Sequence, residues 1–311
     1  MTTRLTAAEV TTAAGALRGD QLVAFPTETV YGLGANALDA AAVARVFEAK
    51  GRPATNPLIV HVSDAAELPL VVAAVPPRAS ELIAAFWPGP LTLVLPKAPG
   101  VPDAVTAGGP TVAVRCPNHP LALELLRAAG VPVAAPSANR SGELSPTTAA
   151  HVLASLDGRI DFVLDGGPCP GGLESTVLDV TGAVPRLLRP GLVSLAQLQA
   201  VLGEVLIGPD AEVGPARSPG QMSKHYAPRC ALECAATDTE REFLANLYET
   251  AGLKVARYSL PDSPKGAASR LYADLHALDA TTPDRILVTL PPDAPEWHAV
   301  RDRLLRASAE E

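Results

Sequence analysis

The chain has no excess of basic residues and few aromatic ones. Of its 311 residues only 4% are aromatic, and the formal net charge at pH 7 is -8. A protein that neutralises many nucleic-acid phosphates carries a basic face or a basic surplus. Stable RNA or DNA binding is therefore not the first interpretation, although the composition leaves room for a local basic pocket.

Cysteines and long apolar runs are also scarce. The four cysteines contain no C-x-x-C pair, so free thiols are a better interpretation than a metal site. No stretch approaches the roughly 18 charge-free apolar residues of a membrane helix, and the amino terminus lacks the apolar region of a signal peptide. We therefore expect a cytoplasmic protein with no membrane contact.

The common nucleotide-binding and hydrolase fingerprints are missing. GLGANA at 32–37 lacks the third glycine of the dinucleotide motif. The P-loop pattern, the G-x-S-x-G elbow and the H-E-x-x-H metal helix do not occur. A nucleotide would have to be bound by other means.

Aliphatic residues are abundant, and 48% of the chain is hydrophobic. Short β-branched runs alternate with Ala/Leu-rich helical patterns over the first 205 residues or so, which predicts an α/β layer structure. We predict helix caps at Asp39, Asn118, Ser145 and Ser194. The predicted strands are QLVAF, PLIVHV, LTLVLP, TVAVR, VPVAA, DFVLD, STVLDV and PRLLR.

The length suggests two domains. Residues 208–228 are rich in Pro, Gly and single charges and have no regular period, which is typical of a linker. We therefore expect a first α/β domain over 1–207, a linker over 208–228 and a smaller α/β domain over 229–311.

The most informative segment runs from residue 25 to residue 62. It combines hydroxyls such as Thr29 with Lys50 and Arg52 on either side of a helix-ending glycine, and with Asn56 and His61 further on. A rigidly displayed cation and amide suit phosphate oxygens. The alternatives are a capped helix with solvated cations and a histidine that only fills the core.

Three further segments carry polar residues at strand ends. Arg115 ends an apolar strand and could clamp a carboxylate or form a structural ion pair. Ser137 and Ser145 lie in PSANRSGELSPT, which suits either a ligand or turn chemistry. A glycine-rich loop leads to Ser175, and Arg189 ends another strand; the loop is either flexible or approaches a ligand closely.

Taken together and in order, seven motifs resemble the threonylcarbamoyl-AMP synthase family, also called YrdC-like proteins. They are FPTETVYGLG, KGRPATNPLIVHV, FWPGPLTLVL, VAVRCPNHP, PSANRSGELSPT, GGLESTVLDV and RLLRPG. The resemblance covers about residues 10–205, and SKHYAP with the remaining chain resembles the two-domain members. It implies a YrdC-like twisted mixed sheet with a central concave cavity, followed by a smaller carboxyl-terminal α/β (Rossmann-like) domain.

The resemblance also implies a reaction. L-threonine, bicarbonate or CO2, and ATP with Mg2+ would condense to threonylcarbamoyl-AMP and pyrophosphate, so the enzyme would be a nucleotidyltransferase. No tightly bound organic cofactor is implied. The product would pass to a tRNA threonylcarbamoyl-transfer complex, with at most weak tRNA binding by this chain itself.

Site residues follow from the resemblance position by position. Lys50 and Arg52 would be the catalytic cations at the triphosphate, and no residue would ligate a metal. Threonine would contact Thr29, His61, Arg115, Ser175 and the backbone of Ala135. ATP would contact Lys50, Arg52, Asn56, Thr111, Ser137, Ser145, Arg189 and Tyr226.

Two other classes of function stay open at this point. One is an RNA-binding module, and the other is a carbamoyl transferase that handles carbamoyl-adenylate. No general base is identified, since Glu28 and His61 are only weak candidates.

Overall fold

A computed structural model describes residues 1–208 and 225–309. Within them the strands form two sheets, one of eleven strands and one of three. The strands are β1 (Thr3–Leu5), β2 (Val23–Phe25), β3 (Gly32–Asn36), β4 (Ile59–His61), β5 (Leu91–Pro96), β6 (Thr111–Arg115), β7 (Val133–Ala134), β8 (Phe162–Leu164), β9 (Thr176–Asp179), β10 (Arg186–Arg189), β11 (Leu206–Ile207), β12 (Ala231–Ala235), β13 (Val255–Tyr258) and β14 (Arg285–Thr289).

Helices cover the sheets. They are α1 (Val10–Arg18), α2 (Ala40–Lys50), α3 (Pro77–Phe86), α4 (Asp103–Thr106), α5 (Pro120–Ala129), α6 (Ala149–Leu156), α7 (Leu195–Leu202), α8 (Asp238–Thr250), α9 (Pro264–Ala280) and α10 (His298–Ala307), with short 3-10 turns at Ala7–Glu9, Ala65–Leu70 and Pro295–Trp297. None of the helices in the described part of the chain has the length and apolar character needed to span a membrane.

The large sheet is twisted and mixed, as predicted, and its strand order is β1-β8-β2-β3-β7-β4-β6-β5-β9-β10-β11. At its centre β4 runs parallel to β6, with Ile59 beside Ala113 and His61 beside Arg115. The carboxyl ends of these two strands therefore meet at one edge of the sheet, where both predicted ligand-binding side chains lie.

The small sheet has the order β12-β14-β13, and its strands are parallel. Helices α8, α9 and α10 alternate with the strands, so the predicted small α/β domain is confirmed. It shares an apolar core with the first domain, because Leu144 and Leu173 pack in one cluster with Leu271 and Leu304.

Glycine in the loop before β9 serves this contact between domains. Gly172 has φ of 73°, and a Cβ atom there would lie 2.4 Å from the carbonyl oxygen of Ala268 in α9. Of the two alternatives for this loop, a close approach is present. This approach is to the backbone of the second domain.

Two predicted helix caps are confirmed. The Asp39 carboxylate accepts hydrogen bonds from the amides of Ala41 and Ala42, and α2 ends at Gly51 with φ of 60°. Ser194 caps α7 in a capping box with Gln197. In both helices the apolar residues begin directly after the polar capping residue. The sequence pattern therefore predicted where each helix starts.

The other two predicted caps are wrong. Helix α5 begins at Pro120 after His119, one residue later than an Asn118 cap requires. Helix α6 begins at Ala149 and is capped by Thr148 rather than by Ser145. The hydroxyl of Ser145 donates instead to the carboxylate of Glu174, at 2.5 Å, so a tertiary contact replaces the local one.

Candidate active site

A cavity opens beside the carboxyl ends of β2, β4 and β6, and its wall includes most of the predicted site residues. The predicted residues that line it are Thr29, Arg52, His61, Arg115, Ala135, Ser137, Ser175, Arg189 and Tyr226. Four other predicted residues are not among its lining: Lys50, Asn56, Thr111 and Ser145. The motifs thus converge in space, although they are spread over about 200 residues.

One side of the cavity is built around Arg115, which is only 3% exposed. Its NH1 donates to the Thr29 hydroxyl at 2.9 Å, and its Nε donates to the Gly89 carbonyl at 3.3 Å. Its NH2 lies 2.6 Å from a carboxylate oxygen of Glu28. The guanidinium is therefore fixed in position and already forms an ion pair, which a ligand carboxylate would have to share.

His61 lies next to Arg115 in the strand register. Burial and the charge of Arg115 lower the pKa of His61 to about 3, so the imidazole is neutral near pH 7. Its Nδ1 is buried and has no hydrogen-bond partner among the described residues. A neutral ring with an unpaired nitrogen is suited to a hydroxyl or amine of a ligand.

Ala135 contributes backbone to the same side. Its amide donates to the Ile59 carbonyl at 2.8 Å, which ties β7 to β4. Any ligand contact through this backbone therefore falls to the carbonyl oxygen rather than to the amide.

The cavity wall also carries two further buried arginines. Arg52 donates to the carbonyls of Asn56, at 3.1 Å, and Pro57, at 2.8 Å. Arg189 donates to the Ser175 carbonyl at 3.1 and 3.0 Å and to its hydroxyl at 3.2 Å. Neither guanidinium has a salt bridge within residues 1–208 and 225–309, so both are suited to an anionic ligand.

Lys50 does not reach this cavity. Lys50 is 2% exposed, and its ammonium donates to the carbonyls of Ser137, at 2.6 Å, and Asn139. Burial and the nearby charge of Arg52 hold the pKa of Lys50 well below its ordinary value. In this structure Lys50 supports the loop that carries Ser137 and Asn139.

Thr111 and Asn56 lie at the far ends of the central strands. Thr111 begins β6, and four residues separate it from Arg115, which corresponds to about 13 Å along a strand. Asn56 precedes β4 by three residues, at the same end. Asn56 still adjoins the cavity wall, because its carbonyl accepts the hydrogen bond from Arg52.

Tyr226, in the segment that begins at residue 225, forms part of the cavity wall. Its side chain is buried, its φ is 65°, and its hydroxyl has no hydrogen-bond partner in the described residues. The remaining cavity volume is only about 40 Å³, against about 370 and 450 Å³ for two cavities between the domains. A cavity of this volume is too small for a nucleotide, and Tyr226 is part of the wall that encloses it. Residues 209–224 of the predicted linker lie outside the described residues.

Sequence reasoning missed the role of Glu174. This carboxylate lines the cavity and is 6% exposed. Its partners include Tyr272 and Arg303, which belong to the second domain. No local pattern connects residues about 100 or more positions apart, so only the fold could reveal the contact.

Among the described residues, neither an activated thiol nor a metal cage is present at the site. Burial raises the pKa of Cys116 to about 11 and that of Cys169 to about 12, so both thiols stay protonated near pH 7. In the described ranges no three His, Cys, Asp or Glu side chains could hold a metal ion together. Glu174, the carboxylate in the cavity wall, pairs with Arg303, and Glu28 pairs with Arg115. The residues do not fit a protein-held Mg2+, which would enter as the counter-ion of a phosphate ligand.

Comparisons with known proteins identify the family. The Sua5/YciO/YrdC family model, described as "Telomere recombination", matches residues 15–191, and the model described as "Threonylcarbamoyl-AMP synthase, C-terminal domain" matches residues 193–309. The threonylcarbamoyl-AMP synthases of Pyrococcus abyssi and Bacillus subtilis are 43% and 41% identical to this chain, over 95% and 96% of it and 93% of each relative.

A solved structure is similar over almost the full length. The crystal structure of P. abyssi Sua5 complexed with L-threonine matches with a TM-score of 0.91 and 42% identity, and the match covers 99% of this chain and 97% of that one. The chain therefore belongs to the threonylcarbamoyl-AMP synthase family and carries that family's carboxyl-terminal domain.

Proposed function

We propose that this nucleotidyltransferase condenses L-threonine, CO2 from bicarbonate, and ATP to threonylcarbamoyl-AMP and pyrophosphate. One observation carries the proposal. A single small cavity combines a side suited to an amino acid, around Arg115 and His61, with a side suited to phosphates, around Arg52 and Arg189.

The threonine side follows from the groups that are fixed there. Arg115 would hold the carboxylate, sharing its guanidinium with Glu28, because hydrogen bonds to Thr29 and Gly89 already set its orientation. The neutral imidazole of His61 would contact the threonine hydroxyl or amine through its unpaired nitrogen. The Ala135 carbonyl and the Ser175 hydroxyl would complete this set.

The nucleotide side would use Arg52 and Arg189 for the phosphates and Ser137 in the adjoining loop. Tyr226 would then place its unpaired hydroxyl on the nucleotide after moving to admit it. Asn56 and Thr111, at the other end of the central strands, would contact the far part of ATP. Ser145 would act through its bond to Glu174, and Lys50 through its support of the Ser137 carbonyl.

The chemistry needs positioning more than it needs reactive protein groups. The threonine amine adds to CO2 and loses a proton, which gives a carbamate. A carbamate oxygen then attacks the α-phosphorus, and the bond from that phosphorus to the bridging oxygen of pyrophosphate breaks. Guanidinium groups that spread the developing negative charge are sufficient for such a transfer. Mg2+ would travel with ATP and pyrophosphate as part of the substrate.

The wider setting belongs to the same proposal. We infer a cytoplasmic enzyme whose product passes to a partner that transfers the threonylcarbamoyl group to tRNA. We also retain the division into a catalytic domain over 1–207, a linker over 208–228 and a second domain over 229–311.

Pyrophosphate release tests the function directly. The purified chain is mixed with ATP, Mg2+, bicarbonate and L-threonine, and each component is omitted in turn. We expect release that needs both threonine and bicarbonate. Release that needs carbamoyl phosphate instead would indicate a carbamoyl transferase. No release, together with salt-sensitive tRNA binding in the micromolar range, would indicate an RNA-binding module.

A further inference from the structure

Arg303 comes from helix α10 of the second domain, yet its side chain is fully buried against the first domain. Its Nε donates to a Glu174 carboxylate oxygen at 2.8 Å, and its NH2 donates to the Pro190 carbonyl at 3.1 Å. Its guanidinium carbon also lies 4.9 Å from the ring centre of Tyr226. One side chain thus joins the second domain to two residues of the cavity wall.

Glu174 is held from both domains. It accepts a hydrogen bond from Ser145 at 2.5 Å, and the hydroxyl of Tyr272 lies 3.1 and 3.0 Å from its two oxygens. Burial alone would raise the pKa of Glu174, but the charges of Arg303 and Arg189 and the Ser145 hydrogen bond lower it to about 2. The carboxylate is therefore charged at neutral pH.

A charged carboxylate in this wall competes with an anionic ligand. Arg189 and Arg52 line the same cavity as Glu174 and have no salt bridge of their own in the described chain. Opposite charges attract strongly where water is excluded. Without Arg303, the carboxylate of Glu174 would be drawn to these guanidiniums and would repel phosphate.

We propose that Arg303 is a positioning residue for nucleotide binding, which keeps Arg52 and Arg189 available to the triphosphate by taking up the charge of Glu174. The inference rests on the proposed function in naming ATP as the ligand. It gives the second domain a defined part in the reaction, carried by one ion pair across the domain contact.

The test compares ATP and threonine binding in four proteins by calorimetry, alongside pyrophosphate release by the wild type. They are the wild type, Arg303→Gln, the double variant Glu174→Gln/Arg303→Gln, and Arg301→Gln, a control on the same helix whose arginine pairs with Asp293. For Arg303→Gln we expect the ATP dissociation constant to rise at least ~30-fold, as for other broken buried ion pairs, while the threonine constant changes less than ~3-fold. The double variant should return to within ~5-fold of the wild-type ATP constant, and the control should match the wild type.

Two results would overturn the inference. One is equal weakening of ATP and threonine binding in Arg303→Gln, which indicates a purely structural role. The other is a double variant that binds ATP no better than the single one. If circular dichroism shows that Arg303→Gln does not fold, the double variant alone decides, because a neutral pair must preserve ATP binding. A wild type that binds ATP but releases no pyrophosphate would refute the proposed function and leave this comparison valid.

Discussion

His61 and Arg115 occupy paired positions on the parallel strands β4 and β6, so an imidazole and a guanidinium emerge side by side at one edge of the sheet. The charge of Arg115 helps to keep His61 neutral, and Arg115 itself is fixed by Thr29, Gly89 and Glu28. This pairing defines the amino-acid side of the cavity and leads to the first prediction.

Replacing Arg115 should affect threonine more than ATP. In Arg115→Ala we expect a loss of about 2 to 5 kcal/mol in threonine binding, which is at least ~30-fold in the threonine KM or affinity. The ATP KM should change much less. Steady-state pyrophosphate release at varied threonine and varied ATP measures both constants, with the exposed Arg127→Ala as the control. Unchanged threonine affinity and turnover would refute the assignment.

The neutral state of His61 predicts a pH dependence of folding stability. Its pKa is about 3 in the folded chain and 6.5 in the reference state, so the unfolded chain binds the proton first as pH falls. The stabilisation is therefore complete above pH 6.5 and is lost as pH falls toward 3, at up to about 1.4 kcal/mol per pH unit. When the pH falls from 6.5 to 5, the free energy of unfolding should decrease in both proteins. The decrease should be smaller in His61→Gln than in the wild type, by up to about 2 kcal/mol. Urea denaturation at the two pH values measures this difference. Parallel profiles for the two proteins would contradict the prediction.

Lys50 and Arg52 should separate into a structural and a ligand-binding cation. Lys50→Met leaves the Ser137 and Asn139 carbonyls without their donor, so the free energy of unfolding should fall by about 1 to 3 kcal/mol. Arg52→Gln should instead raise the ATP KM at least ~10-fold, because it removes a charge from the cavity wall. Urea denaturation and ATP kinetics on both variants make the comparison. The reversed result, in which Lys50→Met raises the ATP KM and leaves the free energy of unfolding unchanged, would show that Lys50 faces the phosphates.

Tyr226→Phe removes only a hydroxyl that has no partner in the described residues. Stability should stay within about 0.5 kcal/mol of the wild type, since no hydrogen bond is lost on this change. If the hydroxyl bonds a charged phosphate in the ATP complex, ATP affinity should fall by about 10-fold or more. Calorimetric titration with ATP and urea denaturation separate the two effects. An unchanged ATP affinity would remove the hydroxyl from the nucleotide site.

The sequence was informative where local pattern and tertiary role coincide. The strands that carry His61 and Arg115 are apolar and β-branched, and the predicted strands PLIVHV and TVAVR contain β4 and β6. Strand β3 was not predicted, because Gly32–Asn36 has glycines in place of β-branched residues and is held by pairing with β2 and β7.

Within the site, the residue types were predictable but their partners were not. Whether a lysine such as Lys50 faces a ligand or a backbone carbonyl depends on where a loop 87 residues away lies. The same limit explains Glu174, whose counter-ion Arg303 is supplied by another domain. Contacts of this kind depend on tertiary packing, which spacing along the chain does not encode.

The most direct test of the central claim, that one cavity joins threonine, CO2 and ATP, is mass spectrometry of the product formed with 13C-bicarbonate. We expect an adenylate that contains both threonine and one 13C atom, formed together with pyrophosphate. An unlabelled threonyl-adenylate, or AMP formation without threonine, would contradict the claim.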